Sequence, residues 1–65
     1  MKLQLHQLDL IWAVEEVPVE NLRSWIINQI NEIGDPVRWA ITSMKHQESE
    51  PFIRQLIVEA VVIAA

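Results

Sequence analysis

The side chains able to do chemistry in this chain are few and stand apart from one another. His6 and His46 are the only histidines, forty residues apart in sequence. A general base needs a partner held within hydrogen-bond reach, and that spacing supplies none. Two histidines with scattered glutamates show no ligand spacing of the kind zinc sites use. Cysteine is absent, which removes disulfides, thiolate metal sites and cysteine nucleophiles. Ser24, Ser43 and Ser49 lack a nucleophile-elbow context, because the single glycine, Gly34, lies elsewhere. No glycine-rich loop is present to cradle phosphate. Glu15 and Glu16 are adjacent, so on extended backbone they point to opposite sides and do not converge as a catalytic pair. The expectation is a non-enzymatic protein with no catalytic residue, no metal and no cofactor.

The three tryptophans, Trp12, Trp25 and Trp39, are the more informative residues. Large aromatic side chains dominate cores and interfaces alike. Trp12 and Trp25 read as core or core-edge residues. Trp39 reads as a subunit-interface residue, or as a stacking platform for a planar ligand.

Sixty-five residues allow one domain, 1–65, and no second core. A chain of this size buries only about 60% of the surface its unfolded form exposes, so it needs outside help to be stable. Without disulfides or metals, and with 51% hydrophobic residues excluding disorder, oligomerisation is the remaining aid. The net charge is −4, and the five Lys and Arg residues are scattered. Phosphate backbones and anionic lipid surfaces both attract clustered basic residues, so neither nucleic acid nor membrane is an expected partner. The longest apolar run, 60–65, is far short of the roughly 20 residues that span a bilayer. No secretory leader is legible, and a cytoplasmic address is expected.

Four segments must position these residues, separated by breaks at Pro18, Asp35-Pro36 and Pro51. Lys2 to Glu15 alternates as Leu3/Leu5 and then Leu8/Leu10/Trp12/Val14, which favours a strand with a bulge near His6-Gln7 where the phase slips, over the helix that Leu5, Leu8 and Trp12 also fit. Pro18 to Ile33 carries Val19, Leu22, Ile26, Ile30 and Ile33 at spacings of three and four, the stripe of an amphipathic helix. Pro18 suits its first turn, and Gly34 is placed for a left-handed cap at its end. Val37 to Lys45 alternates β-branched and aromatic residues as a second strand, and His46 to Pro51 reads as a hairpin loop. Ile53 to Ala65 is the closing strand, apolar on both sides, with Leu56, Val58, Ala60 and Val62 on one and Ile53, Ile57, Val61 and Ile63 on the other.

The fold class expected is α+β in the order strand–helix–strand–strand, a three-stranded antiparallel sheet with one helix packed on one face. A strand that is apolar on both faces needs two covering layers, and the chain supplies one. Simple alternation places Trp39, Ile41, Ile57, Val61 and Ile63 on the uncovered face, the expected interface. A second copy of the chain is the expected partner, with a protein partner the other occupant.

Val37-Arg38-Trp39-Ala40 and Gln55-Leu56-Ile57-Val58-Glu59-Ala60-Val61 add a resemblance. With the element order, they resemble the dodecins, small flavin-binding proteins that assemble as hollow dodecamers. That family opens its second strand with a tryptophan and its third with a glutamine. The turn differs, since Met44-Lys45-His46-Gln47 stands where the family carries a basic, glycine-containing turn. The resemblance implies, as the alternative to an assembly module, flavin sequestered through Trp39 and Gln55 on one sheet face.

Overall fold

The computed structural model describes residues 2–64, apart from the side chain of Gln47. Strand β1 (Lys2–Ala13) leads through a turn to a short 3-10 segment, Val19–Asn21, which continues into helix α1 (Leu22–Asn31). Strands β2 (Asp35–Gln47) and β3 (Glu50–Ala64) then form a long hairpin. The sheet order is β1-β3-β2, with β3 antiparallel to both neighbours. This is the α+β architecture expected from the sequence. β1 and β2 therefore run parallel to each other, joined by a helical crossover, with β3 inserted between them. The molecule is elongated, 43 × 18 × 14 Å. Ala65, the last residue of the expected closing strand, lies outside the described residues.

Alternation along β3 builds the core. Leu56, Val58, Ala60 and Val62 face the helix and are buried, and they meet Leu22, Ile26 and Ile30 of α1 together with Trp12. Ile26, Ile30, Leu56, Val58 and Val62 are the largest side chains wholly removed from solvent. The expected helical stripe is right at its centre and open at its ends, because Val19 is 68% and Ile33 37% exposed. α1 is ten residues long, about 15 Å at 1.5 Å per residue, so it spans only part of a sheet more than twice that length.

Three local expectations are corrected. β1 runs in unbroken register with β3 from Lys2↔Ala64 to Ala13↔Ile53, so there is no bulge at His6-Gln7. The slip in its apolar pattern is a change of face: Leu3 and Leu5 point away from the helix, whereas Leu8, Leu10 and Trp12 point towards it. The irregularities lie in the pairing of β2 with β3 instead: Val37 and Thr42 are extra residues of β2, and 51–53 of β3 stand between the pairs His46↔Arg54 and Gln47↔Glu50. The hairpin loop is also shorter than His46 to Pro51, since Gln47 pairs with Glu50 across Glu48-Ser49. β2 even takes in Asp35-Pro36, which an edge strand tolerates because proline's missing N–H can face outward.

Gly34 is not in a left-handed conformation; no glycine has positive φ. Its N–H bonds Ile30 O at 3.2 Å to close the helix end. Its lack of a side chain serves close packing, because a Cβ there would lie 2.8 Å from the carbonyl oxygen of Ile63 and 3.2 Å from Val62 Cγ2. Backbone cannot swing aside as a long side chain can. Gly34→Ala is expected to destabilise the fold by about 1–3 kcal/mol through this overlap, read from urea or thermal unfolding. An unchanged melting temperature would mean the β3 backbone yields freely.

Candidate interaction surface

The face of the sheet opposite α1 is covered by no other element among the described residues. Register with β3 orders it into rows. Leu3 stands beside Ile63, and Leu5, Val61 and Arg38 form the next row. Gln7, Glu59 and Ala40 follow, then Asp9, Ile57 and Ser43, then Ile11, Gln55 and Lys45. An apolar end at Leu3, Ile63, Leu5 and Val61 thus passes into a mixed stretch that keeps Ile57 and Ile11 among polar residues. Leu5 is 72%, Leu3 61% and Ile11 57% exposed, while Ile57, Val61 and Ile63 on the central strand are half-buried by their neighbours. In the mixed stretch, Gln55 Nε2 donates to both carboxylate oxygens of Asp9, each at 2.9 Å.

Of the residues expected on this face, Ile57, Val61 and Ile63 are there. Trp39 and Ile41 are not: Trp39 pairs with Ala60 and Ile41 with Val58, both on the helix side. The cause is the hairpin register. Thr42, an extra residue of β2, sets the odd-numbered Trp39 and Ile41 against even-numbered positions of β3, which simple alternation does not anticipate. Trp39 packs at the margin of the core, and the Arg23 guanidinium carbon lies 5.9 Å from its ring centroid, a cation–π contact from α1. Trp39 and Gln55 therefore stand on opposite sides of the sheet, and a single planar ligand cannot lie on both within one chain. Leu3, Leu5 and Ile11 were the surface residues missed. The signal for Leu3 and Leu5 is the phase slip in the first segment, which marks a change of face and not a bulge.

The remaining polar groups do not gather. His6 is half-buried, with Nε2 3.0 Å from Gln4 Oε1, and His46 is exposed at the far end of the hairpin. Their β3 partners, Ala60 and Arg54, are six positions apart, about 20 Å along a strand. Glu15 and Glu16 are both exposed in the turn after β1. Among the described residues no three His, Asp or Glu side chains converge. A shallow depression of about 180 Å³ lies on the open face, lined by Leu5, Arg38, Ala40, Glu59 and Val61 with Trp39 between its β2 neighbours. Another, of about 220 Å³, lies at the end of α1 around Asn31, Glu32 and Gly34.

The open face is mixed in charge. Asp9, Asp35 and Glu59 stand against Arg38 and Lys45, three acids and two bases, so it holds −1 of the chain's −4. Such a face can meet a copy of itself without stacking like charges. No helix among the described residues is long and apolar enough to cross a membrane. No curated protein and no solved structure gives a significant match to the chain. A family model does match residues 2–64, nearly the whole length, and the protein belongs to the family described as a domain of unknown function, DUF8621.

Proposed function

We propose that this protein is a small, non-enzymatic, cytoplasmic assembly module that works as a homo-oligomer, with the open sheet face as its contact surface. The observation that carries the reading is the set of Leu3, Leu5, Ile11, Ile57, Val61 and Ile63 on a face that no element among the described residues covers. Three strands about 4.8 Å apart and some twelve residues long give a face of roughly 600 Å² in projection. That approaches the roughly 800 Å² per partner of a standard protein–protein interface. A second copy fits better than nucleic acid or an anionic membrane, because the face is near-neutral and its two bases are not clustered. Each large apolar side chain fully covered there contributes about 1.5–3 kcal/mol, so four of them offset a substantial part of the entropy lost on association.

Light scattering coupled to size exclusion tests the reading. The natural chain is expected to run at a multiple of 7.6 kDa at tens-of-micromolar concentration. Val61→Lys places an ammonium beside Leu5 and Ile63 on the contact face and is expected to break face-to-face stacking, lowering the mass of the assembly with its circular dichroism unchanged. A natural chain that is monomeric throughout, or a Val61→Lys variant that elutes unaltered, would sink the open-face interface.

A further inference from the structure

We infer that β1 is the edge at which a second copy of this chain docks, the two β1 strands pairing antiparallel about a two-fold axis at Leu8 to make one six-stranded sheet. The inference rests on the assembly reading and deepens it by naming an edge and a register.

The two edges of the sheet are built differently. The β2 edge contains Pro36, which has no N–H to offer, and is broken by extra residues at Val37 and Thr42. Proline and bulges are the devices that keep an edge strand from pairing with another chain. The β1 edge has none of them. Its twelve residues hold one continuous register with β3, include no proline, and carry charge only at Lys2 and Asp9. The outward backbone groups of β1 pair with no other strand among the described residues.

The sequence of β1 also complements itself. Antiparallel neighbours must share a sheet face, so their residue numbers sum to an even value. With the axis at Leu8, Leu5 meets Ile11 of the second copy, Leu3 meets its Ala13, and Gln7 meets its Asp9. The open face then matches apolar to apolar and polar to polar along the whole junction, and it covers the most exposed large apolar residue of the strand, Leu5 at 72%. Moving the axis to Gln7 sets Leu5 against Asp9. Moving it to Asp9 brings two Asp9 carboxylates together, which is repulsive. A two-fold axis perpendicular to the sheet keeps both helices on one side and doubles the width of the open face, so edge pairing and face stacking are compatible.

The absence of cysteine makes the register directly readable, because each introduced cysteine is unique. Directly opposed Cα atoms of an antiparallel pair are about 4.5–5.5 Å apart, within disulfide range. Stacked sheets, about 10 Å apart, are outside it. Under mild oxidation of the full chain, Leu8→Cys and the double variant Leu5→Cys/Ile11→Cys are expected to become mostly covalent dimers on non-reducing gels. Gln7→Cys, Asp9→Cys and each exposed single variant are expected to stay monomeric on the same gels. The double variant lies wholly at exposed positions, so it reads the register even if Leu8→Cys weakens the fold. Cross-linking at Gln7 or Asp9 in place of Leu8 would overturn the register. An oligomer by light scattering with no cross-link at any of these sites would overturn the edge proposal and leave the open-face reading standing. A monomer by light scattering would remove both.

Discussion

Trp12→Ala is expected to leave the chain largely unfolded at ordinary temperature. Trp12 is 5% exposed at the end of β1, and its Nε1–H donates to Val17 O at 2.7 Å. It is thus both a large core side chain and the clamp on the connection that brings the chain back over the sheet. That connection has few other ties: the N–H groups of Glu16 and Val17 share the Ala13 carbonyl, and Val14 N bonds Phe52 O. Removing a buried tryptophan costs about 3–5 kcal/mol. A 65-residue domain has roughly 3–10 kcal/mol in total, at 0.05–0.15 kcal/mol per residue. Trp12→Phe separates the two roles, because it retains most of the apolar volume and loses the indole donor. Its expected cost is nearer 1–2 kcal/mol, the scale of one hydrogen bond plus a small void. Equilibrium unfolding by urea distinguishes them. If Trp12→Phe proved as damaging as Trp12→Ala, the clamp rather than the packing would dominate.

The contrast between elements explains what was legible in the sequence. The helix, the hairpin and the first strand follow from local periodicity, a property of consecutive residues, and all three are present. The uncovered face likewise follows from arithmetic on layers, because β3 alternates apolar residues on both sides and only one helix exists to cover it. What was not legible is which side of the sheet a given β2 residue joins. That depends on two extra residues, Val37 and Thr42, in a strand whose sequence, Val37-Arg38-Trp39-Ala40-Ile41-Thr42, alternates regularly and carries no glycine to mark a bulge. A single inserted residue inverts the facing of everything beyond it. Trp39 and Ile41 therefore moved together from the expected interface to the helix side.

The role of Gly34 was obscure for a related reason. A glycine after a helix usually supplies a left-handed cap, and the close approach of Ile63 to this one is a long-range contact that no local pattern encodes. Long-range register and close backbone approach are the two quantities a single sequence leaves open.

The helical stripe offers the sharpest test of how burial, rather than residue type, sets energetics here. Ile26 and Ile33 are the same residue on the same stripe, yet Ile26 is wholly buried and Ile33 is 37% exposed. Ile26→Ala opens a cavity under Val58 and its core neighbours and is expected to cost about 2–5 kcal/mol, which in a chain this short approaches the whole of its stability. Ile33→Ala removes a side chain that water already reaches and is expected to cost less than half as much. Melting curves at several protein concentrations add a link to assembly. If folding and self-association are coupled, the Ile26→Ala midpoint rises with concentration by mass action, because the associated form binds only folded chains. The same rise is smaller once Val61→Lys is combined with it, because face stacking no longer contributes. Equal losses for the two isoleucines would contradict the packing described here, and a concentration-independent midpoint would show that this core stands without help from a second copy.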